Sequence, residues 1–229
     1  MPHIPLEVLT IFTGLDQIAE RIRERFEKLD KGREQAYVTS RQVVRAASIC
    51  IKSVHRGEFE AADALLRETA ELNTQMIVAL QDCDELRWGG FIGDAEKEYA
   101  EAAITLAAIT GRNLPAPEEL GVDLACWLNG LAEAAGEFRR HVLDLIRLGD
   151  LTRAEAFLNA MDDIYHLIMG FDYPNAISLG LRGRSDAVRG FVERTRGDLT
   201  NALRQQRLEE RLSSLEADLA RRGDATQGT

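Results

Sequence analysis

Two stretches of the chain are nearly free of charge, and a single carboxylate interrupts each. Between Tyr99 and Ile109 the only charged residue is Glu101, and between Leu124 and Gly136 it is Glu133. A helix that is apolar almost all the way round is buried, either within a subunit or between subunits. A domain of this size rarely surrounds two such helices unaided, so the pattern predicts an oligomer.

Elsewhere the apolar positions recur with helical spacing. The first pattern runs from about Leu6 to Val54 with Gly14 and Gly32 as weak points, and Gly57 ends it. Glu58 opens a second helix to about Cys83. A third runs from near Asp84 to Thr110, where Gly111, Asn113 and Pro115 stop it. Pro117–Glu119 restarts a helix expected to continue to about Leu148. Gly149-Asp150 then makes a short turn, with Asp150 or Thr152 capping the next helix. That one ends near Gly170, Tyr173-Pro174-Asn175 opens a short one, and Gly183 precedes a charged final helix to about Arg222. Strand signals, Gly/Ser linkers and internal repeats are absent. The expectation is all-α: one bundle of about seven helices over residues 1–222, with 223–229 as a disordered tail.

Few prolines and abundant Ala, Leu, Glu and Arg agree with helix. Three of the five prolines (Pro115, Pro117, Pro174) sit at the breaks, and Pro2 and Pro5 precede the first pattern. The start of the chain has no basic segment leading into a long apolar run, and single carboxylates interrupt the apolar stretches. No membrane span is expected, and the cytoplasm is the default compartment. Cys50, Cys83 and Cys126 lack C-x-x-C spacing and lie among apolar neighbours, which predicts buried free thiols.

Charge narrows the choice of partners. With a net charge of −10, the chain has no diffuse attraction for a polyanion, so nucleic-acid binding would need a localised basic surface. One candidate exists. From Gln35 to Gly57 there is no acidic residue, and Arg41, Arg45, Ser48, Lys52 and His55 fall on one helix face. A cationic stripe with a central hydroxyl suits a phosphate backbone. A solvated face paired with acids of another helix explains the same pattern, and both readings stay open. The arginines from Arg182 to Arg211 alternate with Asp and Glu and read as a solvated face.

Glu101 and Glu133 need an explanation of their own. An unpaired buried charge costs several kcal/mol or shifts its pKa toward neutrality, so each requires a partner. Each also has an acidic neighbour one turn away: Glu98 three residues before Glu101, and Glu137 four after Glu133. Four carboxylates from two facing helices form a hard oxygen cage suited to Mg²⁺ or Mn²⁺. Glutamate pairs on solvated faces are also common, and Arg140 or His141 stands where it could neutralise Glu137. Asp94 shares the face of Glu98 and reads as surface.

The carboxylates and the basic stripe, with their neighbours in the chain, also carry a family resemblance. Glu98-Tyr99-Ala100-Glu101 resembles the Glu-Tyr-Val-Glu segment of the catalytic, translin-associated factor X type of the translin family. Val122-Asp123-Leu124 through Ala132-Glu133-Ala134-Ala135-Gly136-Glu137 resembles that type's Val-Asp-Tyr-Leu run followed by Ala-Asp-Leu-Thr-Gly-Glu. Ser40-Arg41 with Arg45 resembles the Ser-Arg segment of the long first helix, and Leu181-Arg182-Gly183-Arg184 has the character of the final helix. The likeness covers about Leu6 to Arg222. It implies an all-helical chain forming hollow octamers around RNA. It also implies Mg²⁺-dependent cleavage of single-stranded RNA, with Glu98, Glu101 and Glu133 matching the catalytic carboxylates and Glu137 a fourth ligand. Position 133 departs from the family pattern, carrying Glu where the motif has Asp.

Three functions are therefore weighed. The first is a homo-oligomeric endoribonuclease in which carboxylates hold Mg²⁺ or Mn²⁺ and Glu101 accepts a proton from the attacking water. The second is an oligomer that binds single-stranded RNA or DNA without cutting it, as translin does. The third, a ferritin-like carboxylate bundle, needs Glu-x-x-His motifs. None of the four histidines follows a Glu at that spacing, the nearest approach being Asp163 before His166, which makes this the poorest of the three readings.

Overall fold

The computed structural model describes residues 14–227, and among them every regular element is helical. The expected beginning of the first helix, from Leu6, and the prolines Pro2 and Pro5 lie outside the described residues. In chain order the elements are α1 (Leu15–His55), α2 (Phe59–Val78), α3 (Gly90–Thr110), α4 (Pro117–Leu120), α5 (Leu124–Leu148), α6 (Leu151–Met169), α7 (Asn175–Ser178) and α8 (Leu181–Gln227). The all-α bundle expected from periodicity is the fold observed.

Helix α2 stops at Val78 rather than near Cys83, and three further boundaries differ from expectation, each for a local reason. Asp84–Leu86 forms a 3-10 turn, and the helix of the carboxylates starts at Gly90, after Gly89 in an extended conformation. The stretch from Pro117 to Leu148 is two helices, because Gly121 takes φ 65° and Asp123 then caps α5 by accepting a bond from the Ala125 amide at 2.8 Å. Helix α8 runs to Gln227, so it continues into the segment 223–229 that was expected to be a disordered tail. Residues 228–229 are not described.

The packing order explains how the apolar helices are covered. Helix α3 lies between α1 and α2 on one side and α5 on the other, while α5 packs further against α6 and α8. Residues 99–107 of α3 are all buried, and so is most of the α5 face from Asn129 to Ala135. A single chain thus encloses both helices, which removes the argument for an oligomer drawn from their apolarity. On α5 the exposed apolar side chains are at its two ends, Leu124 and Leu143 with Leu148, and two longer exposed apolar runs lie on other helices. They run along the beginning of α1 at Leu15, Ile18, Ile22 and Phe26, and along the end of α8 at Leu208, Leu212, Leu215 and Leu219.

Close contact at the centre depends on one small residue. A β-carbon at Gly130 of α5 would lie 2.7 Å from the Lys97 carbonyl oxygen and 2.8 Å from the Ala100 β-carbon of α3. Only glycine permits that approach. On the far side Phe138 packs edge-on against Phe157 with centroids 5.4 Å apart, joining α5 to α6. Cys50, Cys83 and Cys126 are buried free thiols, and burial raises the Cys50 pKa to about 12.

Candidate metal centre and nucleic-acid surface

The close passage of α3 and α5 brings their carboxylates together. Glu98 and Glu101 from α3 and Glu133 from α5 each offer an oxygen, and these oxygens lie within 4.8 Å of one another. Glu101 is buried, whereas Glu98 and Glu133 are half-buried. Burial first, and then the charges of Glu98, Glu133 and Glu137, push the Glu101 pKa up to about 8. At neutral pH this site therefore carries more carboxylate than it can comfortably ionise.

Glu137 does not join the three. Successive turns of a helix are about 5–6 Å apart, so a side chain four residues beyond Glu133 must reach back to meet the cluster. Instead its Oε2 is 2.5 Å from Nε2 of His55, and the guanidinium of Arg140 stands 3.9 Å away. His141, the other candidate neighbour, packs on Phe157 with no partner for its Nε2 among the described residues. Glu137 thus acts on Glu101 through its charge while being held elsewhere.

Two cations that the sequence reading did not select complete the site. Lys97 Nζ donates to Glu133 Oε1 at 2.8 Å and sits 3.1 Å from Glu98 Oε1. Burial opposes the Lys97 ammonium, but Glu133 and Glu98 outweigh it and hold its pKa above the ordinary value. Arg184 Nε, at the start of α8, donates to the same Glu133 oxygen at 3.0 Å. Arg184 therefore does not belong to a purely solvated face. Lys97 stands four residues before Glu101, so helical spacing marks it as a neighbour. The distance of 51 residues between Arg184 and Glu133 leaves no such signal.

A further buried carboxylate fixes the local frame. Glu96 accepts from Arg87 at 2.7 Å and from the Asp123 amide at 3.1 Å. It ties the beginning of α5 to α3 and the preceding turn, which sets the register of Glu133 against Glu98 and Glu101. Its two oxygens are engaged, so it is a structural acid.

The basic stripe divides in two. Arg41, Arg45 and Lys52 are exposed and Ser48 is half-buried, with Ser40, Arg41, Arg45 and Ser48 lining an open groove against Phe91 and Asp94. His55 departs from this surface: its side chain is 2% exposed and its imidazole serves Glu137. Asp94, read as a surface residue, lines both this groove and a cavity whose wall includes Lys97 and Arg184. The groove of the stripe and the cavity walled by Lys97 and Arg184, the two cations that hold Glu133, consequently adjoin at Asp94.

No helix among the described residues is long and apolar enough to cross a membrane. No protein-family model matches the chain. It is 25% identical over 192 residues to an uncharacterized protein of Methanocaldococcus jannaschii, covering 83% of this chain and 85% of the relative. Among solved structures it is similar to C3PO of Archaeoglobus, at 33% identity and a TM-score of 0.74, over 80% of this chain and 96% of that one. The same C3PO in a complex with duplex RNA aligns at 33% identity and a TM-score of 0.72, over 80% and 95% of the two chains. C3PO of Nematostella shares the fold at 20% identity and a TM-score of 0.72, over 88% and 100%. With one-third identity to the Archaeoglobus protein across four-fifths of its length, on the same helical frame, this chain belongs to the translin family and is of the translin-associated factor X type.

Proposed function

We propose that this protein is a metal-dependent endoribonuclease that cleaves single-stranded RNA held within an oligomeric shell of its own copies. One observation carries the reading: three carboxylates from two helices lie within 4.8 Å, the most buried of them with its pKa raised to about 8. An all-oxygen donor set of that kind suits Mg²⁺ or Mn²⁺, held by Glu98, Glu101 and Glu133. When bound there, such an ion makes a water nucleophilic at neutral pH and offsets charge on the scissile phosphate.

The chain's own groups have definite parts in this scheme. Lys97 and Arg184 neutralise Glu133 and are within reach of a phosphate that approaches the cluster. Glu101, once a bound cation had displaced the proton it holds at neutral pH, would be the carboxylate placed to accept the proton of the attacking water. Glu137, positioned by His55, adds negative charge that favours a divalent cation and stands behind the other three. Arg41, Arg45, Ser48 and Lys52 track the strand through its phosphates, which gives salt-sensitive binding with little sequence preference. The exposed apolar faces at the beginning of α1 and the end of α8 support assembly, and the family resemblance implies an octamer.

A second reading is a non-catalytic oligomer that binds RNA or single-stranded DNA. It is favoured by the pairing of Glu133 with two cations and by the duplex RNA bound to the Archaeoglobus neighbour. The deciding assay is cleavage of labelled single-stranded RNA by purified protein with Mg²⁺ or Mn²⁺, alongside Glu101→Gln and Glu133→Gln. Metal-dependent cutting lost in both variants supports the nuclease. Tight binding with no cutting leaves the binding oligomer.

A further inference from the structure

We infer that the cavity beside the carboxylate cluster is a subsite for one unpaired nucleobase of the bound strand. The inference rests on the RNA-binding reading and not on cleavage. The cavity lies between the start of α3, the first turns of α5 and the α7–α8 junction. Lys97 and Arg184 form part of its wall while both hold Glu133, so the cluster and the cavity share a boundary. A strand with a phosphate at the cluster would deliver an adjacent base there.

Two further features match a base. Trp88 lines the cavity with 78% of its surface exposed, and the two residues after it, Gly89 and Gly90, carry no side chain. An exposed tryptophan without a packing role offers an aromatic face on which any base stacks. Deeper in the wall is Asn129, only 2% exposed. Its Nδ2 donates to the Ala125 and Ser178 carbonyl oxygens at 2.6 and 2.9 Å, which fixes the direction of the carboxamide. Its Oδ1 has no hydrogen-bond partner among the described residues. A buried acceptor left without a donor is costly. Every nucleobase has an N–H donor on its pairing edge, and in a duplex that edge is occupied. Solvent does not reach Oδ1 in this conformation, so a base would meet it only through a small shift of the cavity wall; stacking on exposed Trp88, which needs a base outside a duplex, carries the selection and is tolerant of which base it is.

The test uses the full-length assembled protein in EDTA, so that cleavage plays no part. Fluorescence polarisation would compare a labelled single-stranded RNA with a labelled blunt duplex, on the parent protein and on Trp88→Ala and Trp88→Phe. Loss of one stacked base weakens binding by roughly ten-fold. Trp88→Ala is expected to show that loss for the single strand, with the duplex nearly unchanged and Trp88→Phe restoring most of it. Nucleoside monophosphates are expected to compete with the single strand, and ribose 5-phosphate not to. Equal weakening of both RNAs, an unaltered single-strand affinity, or competition by ribose 5-phosphate as strong as by the nucleotides would each overturn the subsite. Nucleotide binding without any metal-dependent cutting would leave this subsite standing while the nuclease reading fell, and the converse result would sink the subsite alone.

Discussion

Gly130 on α5 rests against the Lys97 backbone on α3, so closely that a β-carbon at position 130 would come within 2.7 Å of the Lys97 carbonyl oxygen and 3.0 Å of the Glu101 amide nitrogen. Glu133 lies one turn beyond this contact, and Lys97 is the residue that bonds it. Interhelical spacing and the geometry of the acidic cluster are thus one property. Gly130→Ala is expected to push the helices apart and destabilise the protein by about 1–3 kcal/mol. It should also weaken Mn²⁺ binding in calorimetry. A variant with unchanged unfolding midpoint and Mn²⁺ affinity would show that close approach is not what gathers the acids.

Glu101 makes the site sensitive to pH. Its pKa stands at 4.5 when unperturbed and at about 8 in the fold. Between those values the folded chain keeps a proton that the unfolded chain has lost, so this group's contribution to stability declines as pH rises through that window. Without divalent metal, thermal melts from pH 5 to pH 8 are expected to show a steeper decline for the parent than for Glu101→Gln. The substituted protein should be more stable at pH 8 by an amount on the order of a few kcal/mol. A divalent ion competes with that proton, so its apparent affinity should increase as pH approaches 8. Parallel melting curves for the two proteins would contradict the assignment.

Lys97 stands where a second cation would be needed. Only 13% of its side chain is exposed, and it serves Glu98 and Glu133 together. Lys97→Met leaves the carboxylates facing one another and should reduce metal-free stability by about 1–3 kcal/mol, since the pairs are partly rather than fully buried. Adding Mg²⁺ or Mn²⁺ is then expected to raise the melting temperature of the variant more than that of the parent. Equal metal-induced shifts would place the ion away from these residues.

Arg41 and Arg45 are exposed along one groove and have no ion-pair partner among the described residues. Replacing both with Gln should weaken single-stranded RNA binding and flatten its salt dependence. Each lost phosphate contact lowers the log–log slope by about 0.7. In a cleavage assay KM should increase while kcat is retained. A salt slope identical to the parent's would assign the stripe to solvent.

Part of the site was legible because helical spacing is a local property. Glu98 and Glu101 are a turn apart on any helix, and the lack of other charges around Glu101 and Glu133 already marked those two as costly to bury. The same reasoning could not tell that Glu137 would turn toward His55, because a sequence separation of 82 carries no periodic signal. It also misjudged what covers the apolar helices. Their composition is the same whether α1, α2, α6 and α8 enclose them or a second subunit does.

Residue order alone determined that the chain is helical, where most of its helices break, and which acids and bases share a face. Those outcomes follow from propensity, glycine and proline placement, and 3.6-residue periodicity, all of which act over a few neighbouring residues. Tertiary packing decided that α3 and α5 meet at Gly130, that Lys97 and Arg184 share one oxygen of Glu133, and that His55 leaves the basic stripe. These depend on which surfaces exclude water together, and contacts between distant residues are set by the whole core rather than by any one segment.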